Sequence, residues 1–159
     1  MLAAGILTVP LIGGCSSKPE TYVQIDGERF KLDEFFKDLA ANEVAARQYI
    51  GKEFEAVSSV VGVEPDNFSL KQIEDGGPVA RQYTCENGYV SLEGYNEGHN
   101  RFYIYVEVSD EDAALVTELR EGDFAKVAGT YFGYSNYGTS GHVGLVCEDG
   151  HTTRIEKLS

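Results

Sequence analysis

Residues 101–134 read RFYIYVEVSDEDAALVTELREGDFAKVAGTYFGY, and this stretch decides the fold. Phe102, Ile104, Val106 and Val108 alternate with Tyr103, Tyr105 and Glu107, the period of two of a strand that buries one face. Ser109 then stands as the N-cap of a short helix, with Asp112 completing a capping box and Leu115, Val116 and Leu119 as its apolar stripe. Gly122 closes the helix. Asp123 opens a strand in which Ala125 and Val127 point inward and Gly129 marks a bulge or a close backbone approach. Strand, capped helix and glycine-marked strand predict a small closed barrel with the helix plugging one end.

Working outward, Tyr89–Tyr95 repeats the alternation, with Val90 and Leu92 inward and Tyr89, Glu93 and Tyr95 outward, after a hairpin signal at Asn87-Gly88. The tip from Asn96 to Asn100 leads it back to the opening strand. Upstream, Lys52–Val63 places Phe54, Ala56 and Val60 on one alternation and reads as the first barrel strand. Turns at Pro65-Asp66-Asn67 and Asp75-Gly76-Gly77-Pro78 leave Phe68–Ile73 and Val79–Cys85 as short strands. Tyr22–Ile25 and Glu28–Phe30 flank Asp26-Gly27, a type I′ hairpin signal, and predict a small ribbon. Leu32, Phe35, Phe36 and Leu39 follow at helical spacing, with Asp33 as the expected cap and a pattern running through Tyr49-Ile50 to a stop at Gly51. Downstream, Ser135–Gly141 reads as a loop, and Val143, Leu145 and Cys147 as the inward side of the last core strand.

The chain has 159 residues, 42% of them hydrophobic and 25% charged, the balance of one globular domain. Its formal net charge is -13, and its lysines and arginines are scattered singly. A phosphate backbone needs a basic stripe, so nucleic acid is disfavoured as a partner. The acidity by itself is what keeps a domain soluble.

Met1–Cys15, MLAAGILTVPLIGGC, carries no charge. It is too short to span a bilayer and has the length of a signal-peptide apolar region. Ile12-Gly13-Gly14-Cys15 resembles the lipobox of bacterial lipoproteins, which implies a signal peptide over 1–14, a lipid on Cys15, a short tether over 15–21 and a single domain over 22–159. The expected address is extracytoplasmic, at a bacterial membrane. Cys85 and Cys147 then remain as an even pair in a compartment that permits disulfides, and a bridge between them is expected, with two isolated buried thiols as the alternative.

Asn42-Glu43-Val44-Ala45-Ala46, Tyr49-Ile50-Gly51-Lys52, and later Gly122-Asp123, Val127-Ala128-Gly129 and Gly144-Leu145-Val146-Cys147 resemble, in that order, the tRNA_anti-like family of bacterial OB-fold proteins. The resemblance covers roughly residues 33–148. It implies a mainly β fold with a flanking helix, a five-stranded Greek-key OB barrel whose helix lies between the third and fourth strands. The departure is the stretch 65–85, longer than the usual turn between the first two barrel strands.

An OB barrel binds through the face of its second and third strands and the loops after the first and fourth. Those positions hold Tyr89, Glu93, Tyr95, Tyr103, Tyr105 and Glu107 on the sheet, and Tyr134, Asn136 and Tyr137 in the expected loop. Tyrosine offers flat stacking area and a hydroxyl at small entropic cost, suited to a glycan, a peptide or a protein. The same residues also serve as cross-strand packing, or as an oligomer interface. No catalytic residue, metal site or cofactor is expected. His99, His142 and His151 lack ligand spacing and fall at turns or strand ends, and Asp110-Glu111-Asp112 reads as charge at a helix N-terminus rather than a calcium loop.

Overall fold

The computed structural model describes residues 18–65, 68–73, 79–136, 140–148 and 150–159. The chain is mainly β. In order it forms β1 (Tyr22–Ile25), β2 (Glu28–Lys31), α1 (Leu32–Ala41), α2 (Glu43–Ala46) and a 3-10 turn (Arg47–Tyr49). β3 (Glu53–Glu64), β4 (Phe68–Ile73), β5 (Val79–Cys85), β6 (Tyr89–Glu97) and β7 (Asn100–Glu107) follow. A 3-10 turn (Asp110–Asp112), α3 (Ala113–Val116), β8 (Phe124–Asn136), β9 (Ser140–Val146) and β10 (Arg154–Lys157) complete it.

Eight strands form one sheet in the order β10-β8-β9-β7-β6-β3-β1-β2, and β3 also pairs with β8. The path β3-β6-β7-β9-β8 therefore returns to β3, and the sheet closes on itself. β7 and β9 run parallel and every other neighbouring pair is antiparallel. Closure buries the inward residues of all five strands together: Phe54, Ala56, Val60, Val90, Leu92, Phe102, Ile104, Val106, Ala125, Val127, Tyr131, Val143 and Leu145 belong to one core. The pattern read from the sequence places each of these except Tyr131.

The ribbon β1–β2 forms as expected. Asp26 (φ 49) and Gly27 (φ 88) both take the left-handed conformation a type I′ turn demands. α1 buries Leu32, Phe35, Phe36 and Leu39, the predicted stripe. Its start differs: Lys31 is the N-cap, and Asp33 sits in the first turn, where its Oδ1 accepts the Glu34 N–H at 2.9 Å. Its end differs too. Asn42, with φ -147, terminates it, its N–H closing onto the Asp38 and Leu39 carbonyls. The single helix expected up to Gly51 is thus broken, and the bend sets the Tyr49 ring against Phe35 at 5.7 Å and Tyr131 at 6.1 Å.

Asn87-Gly88 joins β5 to β6, but these strands do not pair, so it is not a hairpin turn. Gly88 answers a close approach instead: a Cβ there would lie 2.0 Å from the Glu64 carbonyl oxygen. Ser109 caps as expected, its Oγ accepting the Asp112 N–H at 3.3 Å. The helix it opens is only a 3-10 turn and one α turn, with Leu119 buried and Leu115 and Val116 half-buried against the core. Gly129 is a close approach, where a Cβ would meet Thr153 and Leu145 at 3.0 and 3.1 Å.

β4 and β5 pair only with each other. This hairpin lies over the outside of the closed sheet, where Leu70 and Cys85 form a second, smaller core with Phe132 and Val146. Gly144 makes room for it: a Cβ there would stand 2.7 Å from Leu70 Cδ1. Between β3 and β6, β4 and β5 therefore form a second layer on the sheet.

Candidate functional site

The outer face of β6, β7 and β9 carries a row of aromatic rings. Ser91 is opposite Tyr105 and Glu93 opposite Tyr103 across the β6–β7 ladder, while Tyr103 is beside His142 across the parallel β7–β9 ladder. These registers stack Tyr105 on His142 at 4.4 Å and 23°, set Tyr103 beside Tyr105 at 6.2 Å and 12°, and bring Tyr89 to 4.9 Å from Tyr105. All four rings are half-buried. Burial lowers the His142 pKa to about 4, so at neutral pH its ring is an uncharged stacking partner. Tyr105 also packs against the Leu70–Phe132 cluster, and so marks the border between the open row and the part the hairpin covers.

At the far end of β7 the chemistry changes. Glu107 is 8% exposed and is the only buried charged side chain among the described residues. Its Oε1 accepts the Cys147 N–H at 2.7 Å, and its main-chain oxygen accepts the Thr153 hydroxyl at 2.6 Å. The Tyr83 hydroxyl, donating to the Cys147 carbonyl, lies beside the carboxylate. Burial first, then the hydrogen bond and charge of Glu107, hold the Tyr83 phenol well above its ordinary value. Burial, with Glu107 second, pushes the Cys85 thiol up to about 12. That sulfur is protonated at neutral pH and is no nucleophile. Tyr83, Glu107 and Cys147 form one side of a cavity of 340 Å³.

The outward face expected of β6 and β7 is thus only partly assembled. Tyr89, Glu93, Tyr103 and Tyr105 share it, but Tyr95 does not. The β6–β7 register slips between Glu93 and Tyr95, so Tyr95 is opposite Phe102 and its ring lies 6.3 Å from Phe102, against the main core. One extra residue in one strand reverses the parity of everything beyond it. Gly94 is that residue, set so close to Phe36 that a Cβ would be 2.8 Å from its ring. Glu107 does share the parity of Tyr105, yet it is buried rather than presented, because the β4–β5 hairpin and the chain after β9 cover it.

Tyr134 lies in β8 rather than in a loop, since β8 continues to Asn136 and pairs with β9 through Tyr134↔Val143, Ser135↔His142 and Asn136↔Gly141. Its ring stacks on Phe102 at 6.3 Å, against the main core. Tyr137 and the Asn136 side chain lie outside the described residues, as do Cys15 and the 1–14 leader. Cys85 and Cys147, expected to be bridged, are free thiols instead. Cys85 points into the Leu70–Phe132 cluster, whereas Cys147 lies one residue past the end of β9 and its Sγ accepts the Thr153 N–H at 3.3 Å. Cys147 is half-buried, not the inward core position expected of it. His99 and His151 are exposed in turns, but His142 is within β9 and half-buried.

His142 and Tyr83 are the site residues the sequence reading passed over. The signal for His142 was present: with Val143 and Leu145 inward, His142 must face out, beside whatever strand pairs with β9. Tyr83 had no such signal, because its place follows from the hairpin folding back over the sheet. Among the described residues no cluster of three or more histidine, cysteine or carboxylate side chains could hold a metal, and no helix is long and apolar enough to cross a membrane. Comparison of the chain with protein-family models, with curated proteins and with solved structures finds no match.

Proposed function

We propose that this chain is an OB-fold binding module of the tRNA_anti-like kind, carried on a bacterial membrane by a lipid at Cys15, with the Tyr89–Tyr105–Tyr103–His142 row as its ligand platform. The fold reading is supported by the pairing order β3-β6-β7-β9-β8-β3, with β7 and β9 parallel and a helical turn between β7 and β8. On that reading β3, β6, β7, β8 and β9 are the five barrel strands, and the three tyrosines of the row fall on the second and third, the face OB folds use, with His142 beside them on the fifth.

The single observation that carries the function is the stack itself: four half-exposed rings on neighbouring strands. Fold-level analogy offers oligonucleotides and oligosaccharides as ligands. Single-stranded nucleic acid would also stack, but it brings phosphates to a chain of net charge -13. A neutral envelope glycan, stacking on the rings and hydrogen-bonding the tyrosine hydroxyls, suits the surface better; peptide or protein ligands share the same apolar and hydroxyl chemistry.

Tyr103→Ala tests this, because Tyr103, unlike Tyr105, is not packed against the hairpin cluster. The full chain should bind an envelope glycan on an array with little dependence on salt, and Tyr103→Ala should lose that binding while destabilising the fold by only about 0.2–1 kcal/mol. Steeply salt-dependent binding to single-stranded DNA alone would overturn the ranking of ligands. A dimer that Tyr103→Ala dissociates would instead make the row an interface between copies. Mass spectrometry of membrane-extracted protein, finding a lipid on Cys15 or an unmodified thiol, tests the anchor.

A further inference from the structure

Two opposite charges border the aromatic row at Tyr103. Glu93 is directly across from Tyr103 on the β6–β7 ladder, and Arg101 precedes Tyr103 by two residues on β7, so both side chains leave the sheet on the face that carries the rings. Direct cross-strand neighbours stand about 5 Å apart. Residues two apart on one strand stand about 6.6 Å apart, so Glu93 flanks Tyr103 at its side and Arg101 flanks it at its end. Among the described residues neither the Glu93 carboxylate nor the Arg101 guanidinium has an ion-pair or hydrogen-bond partner. Asn96 and Ser140, which are opposite Arg101 on the two neighbouring strands, are uncharged. Glu93 is half-buried, and its backbone is held from two sides. The Ser58 hydroxyl donates to its main-chain oxygen at 2.5 Å, and the bulge residue Gly94, tight against Phe36, follows it. The bulge that turns Tyr95 inward therefore also fixes where Glu93 stands beside the rings.

We propose that Glu93 and Arg101 are the specificity-determining residues of the row: they orient one hexopyranose unit of a neutral glycan over Tyr103, its hydroxyls donating to Glu93 on one side and accepting from Arg101 at the next. The inference rests on the row being the ligand platform and adds which ligand it selects and by which groups. A pyranose is about as wide as a phenol ring, and in a β-linked glucan its hydroxyls are equatorial, radiating in the plane of the sugar while its C–H bonds face the aromatic. Groups that flank Tyr103 are thus placed to meet the hydroxyls of a sugar lying on it. A carboxylate offers only acceptors and a guanidinium only donors, and a hydroxyl satisfies either. A few fixed polar groups around an apolar floor are what set orientation and selectivity in small-ligand sites. The opposite charges of the pair leave this part of the face neutral, which fits an uncharged sugar better than a phosphate chain, to which Glu93 is repulsive. A peptide stacks on the rings equally well but carries no ring of hydroxyls for the pair to read.

The test is calorimetric titration of the full chain with cellotetraose, a neutral β-linked glucan, and with tetraproline, which stacks on tyrosine but has no hydroxyls. The wild type should bind cellotetraose the more tightly. Glu93→Gln should weaken cellotetraose at least fivefold and Arg101→Gln about threefold, each leaving tetraproline within twofold, because only the sugar uses the flanking groups. Glu156→Gln, on an exposed glutamate of β10, should change neither. The two variants are read independently, so a chain that fails to fold with one leaves the other decisive. Tetraproline bound as tightly as cellotetraose, or both ligands weakened equally by Glu93→Gln or Arg101→Gln, would overturn the proposal, the second because it marks a structural effect. Cellotetraose binding that Tyr103→Ala abolishes but Glu93→Gln and Arg101→Gln leave unchanged would overturn the assignment of this pair and keep the row as the platform. Binding of neither ligand by the wild type would remove the platform and this inference together.

Discussion

The two apolar cores of this protein are made in different ways. Inside the closed sheet, each strand contributes every second residue, and α1 and the helical turn after β7 close over them. Outside it, Leu70 and Cys85 come from one hairpin and Phe132 and Val146 from the backs of β8 and β9. Tyr131 and Phe132 are consecutive and both buried, one in each core, and Leu145 and Val146 do the same. Where a second layer covers a sheet, the one-sided alternation gives way to adjacent apolar residues. The inner core is a property of the whole closed sheet, whereas the outer one depends on a hairpin that pairs only with itself.

That difference should appear first in the size and reach of mutations. Phe54 is 1% exposed and packs between Phe35 and Tyr131, so Phe54→Ala should cost about 3–5 kcal/mol in denaturant unfolding and lower the protection of every strand. Leu70→Ala should cost about 2 kcal/mol, the low end for leucine, because the hairpin can settle into the space. Hydrogen exchange should then show opening of β4 and β5 with β7 and β9 still protected. If Leu70→Ala instead unfolds the chain as a unit, the two cores are one cooperative structure.

Two glycines sharpen the contrast. A methyl at Gly94 meets Phe36 ring carbons at 2.8 Å and the Phe102 carbonyl at 2.9 Å, groups that cannot easily move. Gly94→Ala should therefore cost up to about 3 kcal/mol, more than Gly144→Ala at about 1 kcal/mol, where the methyl meets the end of the Leu70 side chain. Equal costs, measured by chemical denaturation, would mean that the hairpin is held as firmly as the inner core.

A further effect concerns pH. The His142 pKa is lowered to about 4 by burial, against an unfolded value near 6.5, so between those values the unfolded chain binds the proton more readily. Stability from keeping the ring neutral is present above pH 6.5 and is lost as pH falls toward 4. The thermal midpoint of the wild type should drop faster over that window than that of His142→Gln; the difference between the two separates His142 from the carboxylates that also titrate there. A hairpin that opens freely would hydrate the row's neighbourhood and flatten the difference.

Much of this was readable in the residues. Val90, Leu92, Phe102, Ile104 and Val106 are buried where alternation puts them, and Asp26-Gly27 turns as its dihedral preferences require. Local pattern suffices where one strand face meets one core. Tyr95 was misread because a bulge reverses parity without leaving an unmistakable mark: Gly94 is compatible with both a bulge and a plain strand. The α1 stripe was legible but its end at Asn42 was not, since Val44, Ala45 and Ala46 continue a helical composition. Glu107 and Tyr83 could not have been joined from sequence at all. Their meeting requires the hairpin to fold back over the sheet, a long-range arrangement that no periodicity encodes.

The margins of the eight-stranded sheet are β2 and β10, four residues each, and both consist mostly of charged side chains: Glu28, Arg29 and Lys31 on one, Arg154, Glu156 and Lys157 on the other. An unpaired margin is a template on which another chain can crystallise its own backbone, the first step toward fibrils. Short, ion-studded margins make poor templates, because an incoming strand must strip water from several charges to gain few ladder bonds. At high concentration such a chain can crowd without polymerising along its sheet.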